Sequence, residues 1–383
     1  MLPSRVKLYH HHNHDPASHP SATTQIPPPS PSSASTDDVE DLLTSFLPHL
    51  FPDEAPSCLG EPGKAVVYTS GAWGDVAVMV PDYPTAGRSE DEAAAGRKLD
   101  KGEEGVEEGR RLFAHYLWGG GLVVAEGIER AMEALEGGNG AGEEEEKEKN
   151  LIWNVRGEMV LELGAGAALP SLVSALAGAA QVTITDHPAS PALYGAIQAN
   201  ISNNIPQHLQ SRISIQPHEW GVLGLDEAAS RKNEAQNPQE QAASKFTVEN
   251  QGSFTRIIAA DCLWMRDQHE NLVRSLLWFL APPAPSPSPL LPSSPDVNGE
   301  AESGGGVAWI VAGFHTGREI VASFFETAVA MGLVVEKIWE RDVNATSEEG
   351  EVTREWMPIR PGEGPENRAR WCVVAFLKKG VRK

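Results

Sequence analysis

Apolar and polar positions along this chain change period repeatedly, and the changes outline an α/β core. Met159 to Leu163 is a short apolar run, followed by Gly164-Ala165-Gly166 and an Ala/Leu-rich stretch. This reads as a strand, a turn and a helix from about Pro170 to Ala177. Pro170 suits a first helical turn, because its missing N–H would be unpaired there anyway. The alternation repeats. Strands are expected at Gln181–Thr185, Ile213–Gln216, Arg256–Ala260 and Val307–Gly313. Helices are expected near Ala192–Asn200, from Asp267 to about Leu280, and from Thr316 to Met331. Asp267 with Glu270, and Thr316 with Glu319, have capping-box spacing. Leu333–Arg341 and Trp371–Leu377 have no helix-length apolar pattern between them, so they are expected to pair as a long antiparallel hairpin.

Upstream the pattern is looser. Val66 to Val80 alternates and turns at Ser70-Gly71, which predicts a hairpin ahead of the main sheet. Asp37–Leu50 reads as a short amphipathic helix. Glu107–Trp118 reads as a helix ended by Gly119-Gly120-Gly121, with another over Leu122–Leu135. Asp91–Lys101 and Glu143–Lys149 read as solvated charged segments. The expected organisation has three parts. A His/Pro/Ser-rich tail without structure covers 1–37, an N-terminal extension over the cofactor site covers 38–150, and an α/β core covers 151–383. Loose insertions are expected at 226–252 and 281–306. There is no internal repeat.

Composition narrows the function. The formal charge of −22 argues against nucleic acid or an anionic membrane as partner. The three cysteines, Cys58, Cys262 and Cys372, form no C-x-x-C pair, so no disulfide framework or zinc site is expected. His10, His11, His12 and His14 lack partner spacing, so no metal is assigned. No apolar run has the length of a membrane span, and the first residues lack a signal peptide's apolar core. A cytoplasmic, monomeric protein is the expectation.

The chemistry concentrates at the carboxyl ends of the expected strands. Gly164, Ala165 and Gly166 let a ligand approach the backbone, or simply make a tight turn. The third glycine of a dinucleotide turn is replaced by Leu169, which disfavours a pyrophosphate. Asp186 lies 22 positions after Gly164. Its carboxylate can accept ribose hydroxyls, or cap a helix before His187-Pro188. Trp220 can stack on a base and Trp118 can close over it, or both can be core. Asp261, after Ala260, can orient an amine for methyl transfer, and a turn-capping role is the alternative. Trp264 offers an aromatic face to a cation. His315 is either a base or a solvent-exposed residue before a helix.

Five β/α units followed by a terminal hairpin suit the seven-stranded, class I Rossmann-like methyltransferase sheet. The segments Leu117–Gly121, Leu161–Pro170, Thr185–Pro188 and Asp261–Trp264 with His269-Glu270 resemble fungal family-16 lysine-type methyltransferases. Within these the similarity is to the group labelled nicotinamide N-methyltransferase-like, from about Pro56 onward. The resemblance implies S-adenosylmethionine contacts at Trp118, the Gly164–Gly166 turn, Asp186, Trp220 and Ala260. It maps Asp261–Trp264 onto a D-x-x-Y-like motif at the substrate edge, with Trp in place of Tyr. It also implies a protein acceptor, the N-terminal glycine and adjacent lysine of elongation factor 1-alpha. Methylation of nicotinamide is the enzymatic alternative. An inactive S-adenosylmethionine-binding adaptor is the alternative from another class.

Overall fold

A computed structural model describes residues 3–9, 58–82, 116–136, 150–224, 245–283, 305–346 and 350–380. The expected helix at 37–50, the two charged segments, and most of both insertions lie outside these residues. The core is one mixed sheet of eight strands. Its elements are β6 (Met159–Leu163), β7 (Gln181–Asp186), β8 (Ile213–Pro217), β9 (Arg256–Ala260), β10 (Val307–Gly313), β11 (Leu333–Asp342), β12 (Thr353–Glu355) and β13 (Trp371–Lys379). Their order across the sheet is β12-β11-β13-β10-β9-β6-β7-β8. The strands β8, β7, β6, β9 and β10 run parallel, and β13 is inserted antiparallel between β10 and β11. That order, with its reversed seventh strand, defines the class I methyltransferase fold; β12 is a short added edge.

The central strands are apolar on both faces, as parallel strands covered by helices must be. Val160, Leu161 and Leu163 are fully buried. One face packs on Leu122, Val124, Leu169 and Ile197. The other packs on Leu272, Phe279, Phe324 and Val321. The chain runs outward from β6 to β7 and β8, then crosses back to β9 on the other side of β6. A crevice opens at such a switch point, beyond the carboxyl ends of the strands.

The hairpin forms as β3 (Ala65–Ser70) and β4 (Gly74–Met79), but in a separate sheet. Its third strand is β1 (Val6–Leu8), so the tail expected to lack structure is corrected at Pro3–Leu8. The cause is tertiary. Arg5 pairs with buried Glu129 at 2.5 Å, and Tyr68 donates to the same carboxylate at 3.1 Å. The exposed backbone of β4 is closed by two amide side chains. Asn204 Oδ1 accepts from Ala77 N–H at 2.8 Å, and Asn200 Oδ1 accepts from Met79 N–H at 2.6 Å. Each amide also donates back to the same residue's carbonyl, which blocks strand addition at that edge.

Three other expectations change. Gly119-Gly120-Gly121 does not end a helix; it opens the helix Gly119–Glu136, directly after the two-residue strand β5 (Leu117–Trp118). Both capping boxes fail to form. Gln268 caps the helix His269–Phe279 and Gly317, at φ 106°, caps Arg318–Ala330, neither through a side-chain bond. A 3-10 turn at Arg266–Gln268 has taken up Asp267. Finally, within the insertion whose Gln/Ala/Asn-rich composition suits a loose loop or a frayed helix, 245–249 is a helical turn. Among the described residues, no helix is long and apolar enough to cross a membrane.

Candidate active site

The glycine turn follows β6 directly. Gly164 has φ 67° and Gly166 φ 50°, the left-handed region that glycine enters without strain. A Cβ on Gly164 would lie 3.0 Å from both Cys262 Sγ and the Trp220 ring, so only glycine leaves this wall open. Gly166 N–H donates to Asp186 Oδ2 at 2.8 Å, and His187 N–H donates to Oδ1 at 2.7 Å. The acid at the end of β7 is thereby held against the turn. A carboxylate offers about four acceptor sites, so two amides do not exhaust it.

One cavity of about 960 Å³, including its open mouth, lies over this turn. Trp118, Gly164, Ala165, Gly166, Asp186, Trp220, Ala260, Asp261 and Trp264 all line it. The topology brings them together from β5, β6, β7, β9 and the segment after β8. A smaller adjoining cavity of about 350 Å³ is lined by Trp118, Asp261, Leu263, Trp264, Gly313 and His315. Trp118, Asp261 and Trp264 stand between the two. His315 is half-buried with both ring nitrogens shielded from solvent, and its ring lies 4.8 Å from that of Trp118. Burial pushes its pKa down to about 4, with nearby Arg368 acting the same way, so the imidazole is neutral near pH 7.

Sequence reasoning missed several lining groups. Glu162 is buried in β6, and its Oε2 accepts from Ser171 N–H at 3.1 Å and from the Ser171 hydroxyl. Burial pushes Glu162 up to about 8, against the Ser171 bonds, and the Asp186 charge adds to the rise. Its signal was an acid inside an otherwise apolar strand. His218 is also buried. It sits 3.0 Å from Ser275 Oγ, which accepts from Gly221 N–H at 2.9 Å, so Trp220 is braced on both sides. His269, which opens a helix, contacts Leu263 O at 2.9 Å and anchors the segment carrying Trp264.

Asp261 itself has φ 55°. Its Oδ2 accepts from Gly120 N–H at 2.6 Å and its Oδ1 from Gly313 N–H at 2.9 Å. Burial raises it to about 6, against bonds from Gly313, Gly120 and Gly121. Among the described residues no cluster of His, Cys, Asp or Glu is arranged to hold a metal ion. Cys262 and Cys372 are free and buried, and burial raises both thiols well above their ordinary range.

The cavity suits a nucleoside without phosphates. Its walls supply an acid beside a glycine turn, an indole, the buried carboxyl group of Glu162 and the half-buried one of Asp261. A family model described as "Lysine methyltransferase" matches residues 104–234. Over that segment the chain is similar to this family, and S-adenosylmethionine is the cofactor of such methyltransferases. Among curated relatives it is similar to "Protein N-terminal and lysine N-methyltransferase EFM7" of Candida glabrata, 26% identical over 64% of this chain and 73% of that protein. It is similar to proteins of the same name in Schizosaccharomyces pombe, 30% identical over 43% of this chain, and in Aspergillus fumigatus, 32% identical over 43%. The match spans 49% of each of these two, about half their length. A SAM dependent methyltransferase from Aquifex aeolicus superposes with a TM-score of 0.33 at 11% identity, covering 60% of this chain and 87% of that one. That score carries no weight beside the strand order, which defines the fold.

Proposed function

We propose that this chain is a protein N-methyltransferase whose acceptor is the N-terminal amine and adjacent lysine of elongation factor 1-alpha. The observation that carries the reading is the pair of joined cavities. The larger one suits the cofactor, and the smaller one shares Trp118, Asp261 and Trp264 with it as a common wall. The names of the fungal relatives support the choice of a protein amine. The acidic balance of the chain suits a basic terminal peptide.

S-adenosylmethionine bound in the larger cavity supplies the methyl group as a sulfonium electrophile. In this reading Asp186 accepts the ribose hydroxyls, and Gly164, Ala165 and Gly166 let the nucleoside approach the backbone. Trp220 flanks the adenine, Ala260 lies beneath it, and Trp118 covers it. Glu162 faces the cationic end. Trp118 and Trp264 present ring faces to an incoming amine. The amine must arrive with a free lone pair in line with the S–CH₃ bond. When bound, the cofactor would supply its methyl group to that lone pair, with the displaced electron pair remaining on its sulfur. His315 is neutral, and it neither repels an ammonium nor holds a proton that would compete with it. Most of the acceleration then comes from alignment. In this reading the enzyme acts as a monomer in the cytoplasm.

Mass spectrometry of the elongation factor's N-terminal peptide, with and without the enzyme and S-adenosylmethionine, tests the assignment. The expected result is added methyl groups on the terminal amine and the next lysine. An unchanged peptide together with methylated nicotinamide would replace the protein substrate with the small pyridine. An enzyme that binds S-adenosylmethionine but turns over neither acceptor would point to an adaptor.

A further inference from the structure

Asp261 stands where an acid could meet the acceptor, yet its hydrogen bonds lead elsewhere. Its donors belong to two separate elements. Gly120 lies in the first turn of the helix Gly119–Glu136, and Gly313 ends β10. The first N–H groups of a helix have no partner within it, and that end carries partial positive charge. Among the described residues the sequence around Gly119 offers no Ser, Thr, Asp or Asn to cap it. Asp261 supplies the cap from 141 residues away. It does so from a left-handed conformation, uncommon for a residue with a side chain. Its own N–H donates to Val311 O at 2.7 Å, which fixes that conformation to β10.

The glycines complete the fit. A Cβ on Gly120 would come 2.5 Å from Asp261 Oδ2 and 3.0 Å from Val311 O. The close approach of helix to carboxylate therefore requires glycine. Trp118 immediately precedes this helix, and it walls both cavities. We propose that Asp261 is a positioning residue. It staples the start of the glycine helix to the carboxyl ends of β9 and β10, and so sets Trp118 over the cofactor cavity. The carboxylate acts on turnover through the indole, not by handling the acceptor's proton.

The test uses Asp261→Ala, the milder Asp261→Asn, and Gly120→Ala in the full chain. Asp261→Asn keeps the shape but turns an NH₂ toward a backbone N–H, so it serves if the alanine variant fails to fold. Hydrogen exchange of the amides at 119–122 should speed up about tenfold in all three, while exchange in β6 stays unchanged. S-adenosylmethionine affinity should fall by a similar factor. The effects of Asp261→Asn and Gly120→Ala should not add in the double variant, because each breaks the same contact. Unchanged exchange at 119–122 and unchanged cofactor affinity, with kcat alone reduced and Gly120→Ala normal, would overturn the staple and restore a direct catalytic role. The affinity measurement rests on the methyltransferase reading; the exchange measurement does not. Faster exchange in a protein that binds no S-adenosylmethionine would leave the staple standing and remove that reading.

Discussion

Buried carboxylates serve this sheet in two ways. Around the glycine turn, Glu162, Asp186 and Asp261 take their hydrogen bonds from backbone N–H groups and a serine. Beyond β13, Glu340 and Glu363 take theirs from arginines. Arg318 bridges the two, 2.7 Å from both oxygens of Glu340, and Arg354 binds Glu340 at 2.7 Å and Glu363 at 2.5 Å. The partner decides the outcome. Burial raises Glu340 and Glu363, but the guanidinium bonds outweigh it and both end below the ordinary carboxylate range. Neutral amides cannot do this, so Glu162 and Asp261 end above it. The arginine arrangement is electrically closed and holds β12 and the 356–363 segment in place. The amide arrangement leaves carboxyl groups whose ionised form a bound cation can still stabilise. Carboxyl groups at a ligand site must be paired incompletely, and the energy they withhold from folding becomes available to binding.

Breaking the closed arrangement should have the largest effect. Glu340→Ala leaves Arg318, whose side chain is 8% exposed, without its bidentate partner. The expected loss is about 3–5 kcal/mol, visible as a lower Tm in a thermal melt. Cofactor affinity of the protein that remains folded should be unchanged. Next comes Asp186→Asn at the open arrangement. Loss of a charge-assisted acceptor is worth about 1.5–3 kcal/mol, so S-adenosylmethionine should bind about tenfold to a hundredfold more weakly in calorimetry. Its Tm should move little. Equal loss of Tm in the two variants would dissolve the contrast.

Glu162→Gln sharpens it through pH. A carboxyl group whose folded pKa is raised favours the folded state at low pH and ceases to do so as pH rises through that pKa. For Glu162 the loss runs from about 4.5 to about 8. Wild-type Tm should therefore decline across that window more steeply than the glutamine variant, whose amide oxygen can still accept from Ser171. Parallel curves would show that Glu162 is not the titrating group. The smallest effect belongs to an exposed pair of the closed type. Arg156 and Glu136 lie 3.1 Å apart at 51% and 60% side-chain exposure. Arg156→Ala should change stability by about 0–1 kcal/mol, near the resolution of a denaturant titration.

The outline of the core was legible because its signals are local. Runs such as Val160 to Leu163 and Val307 to Gly313 are apolar on both faces, and each is followed by turn chemistry. Element boundaries failed where a distant group intervened. Gly119 to Gly121 look like a helix breaker, since glycine costs about 1 kcal/mol in a helix interior. They open a helix against Asp261, which takes the Gly120 amide and leaves no room for a Cβ at that position. Thr316 and Asp267 look like caps, but the positive φ of Gly317 and a 3-10 turn took their places. Val6 to Leu8 is too short to announce a strand; pairing with β3 holds it, together with Arg5, which donates to Glu129 and to Thr69 O.

By itself, the sequence determined the order of strands and helices, the terminal hairpin, and the glycine turn with its acid 22 residues later. These rest on periodicity and on backbone conformations that few residue types allow. Only the tertiary structure decided which carboxyl group meets which donor. Burial and pairing are properties of the assembled fold, and they set whether Glu162 and Glu340, the same residue type in the same sheet, tend to keep a proton or give it up to a paired charge.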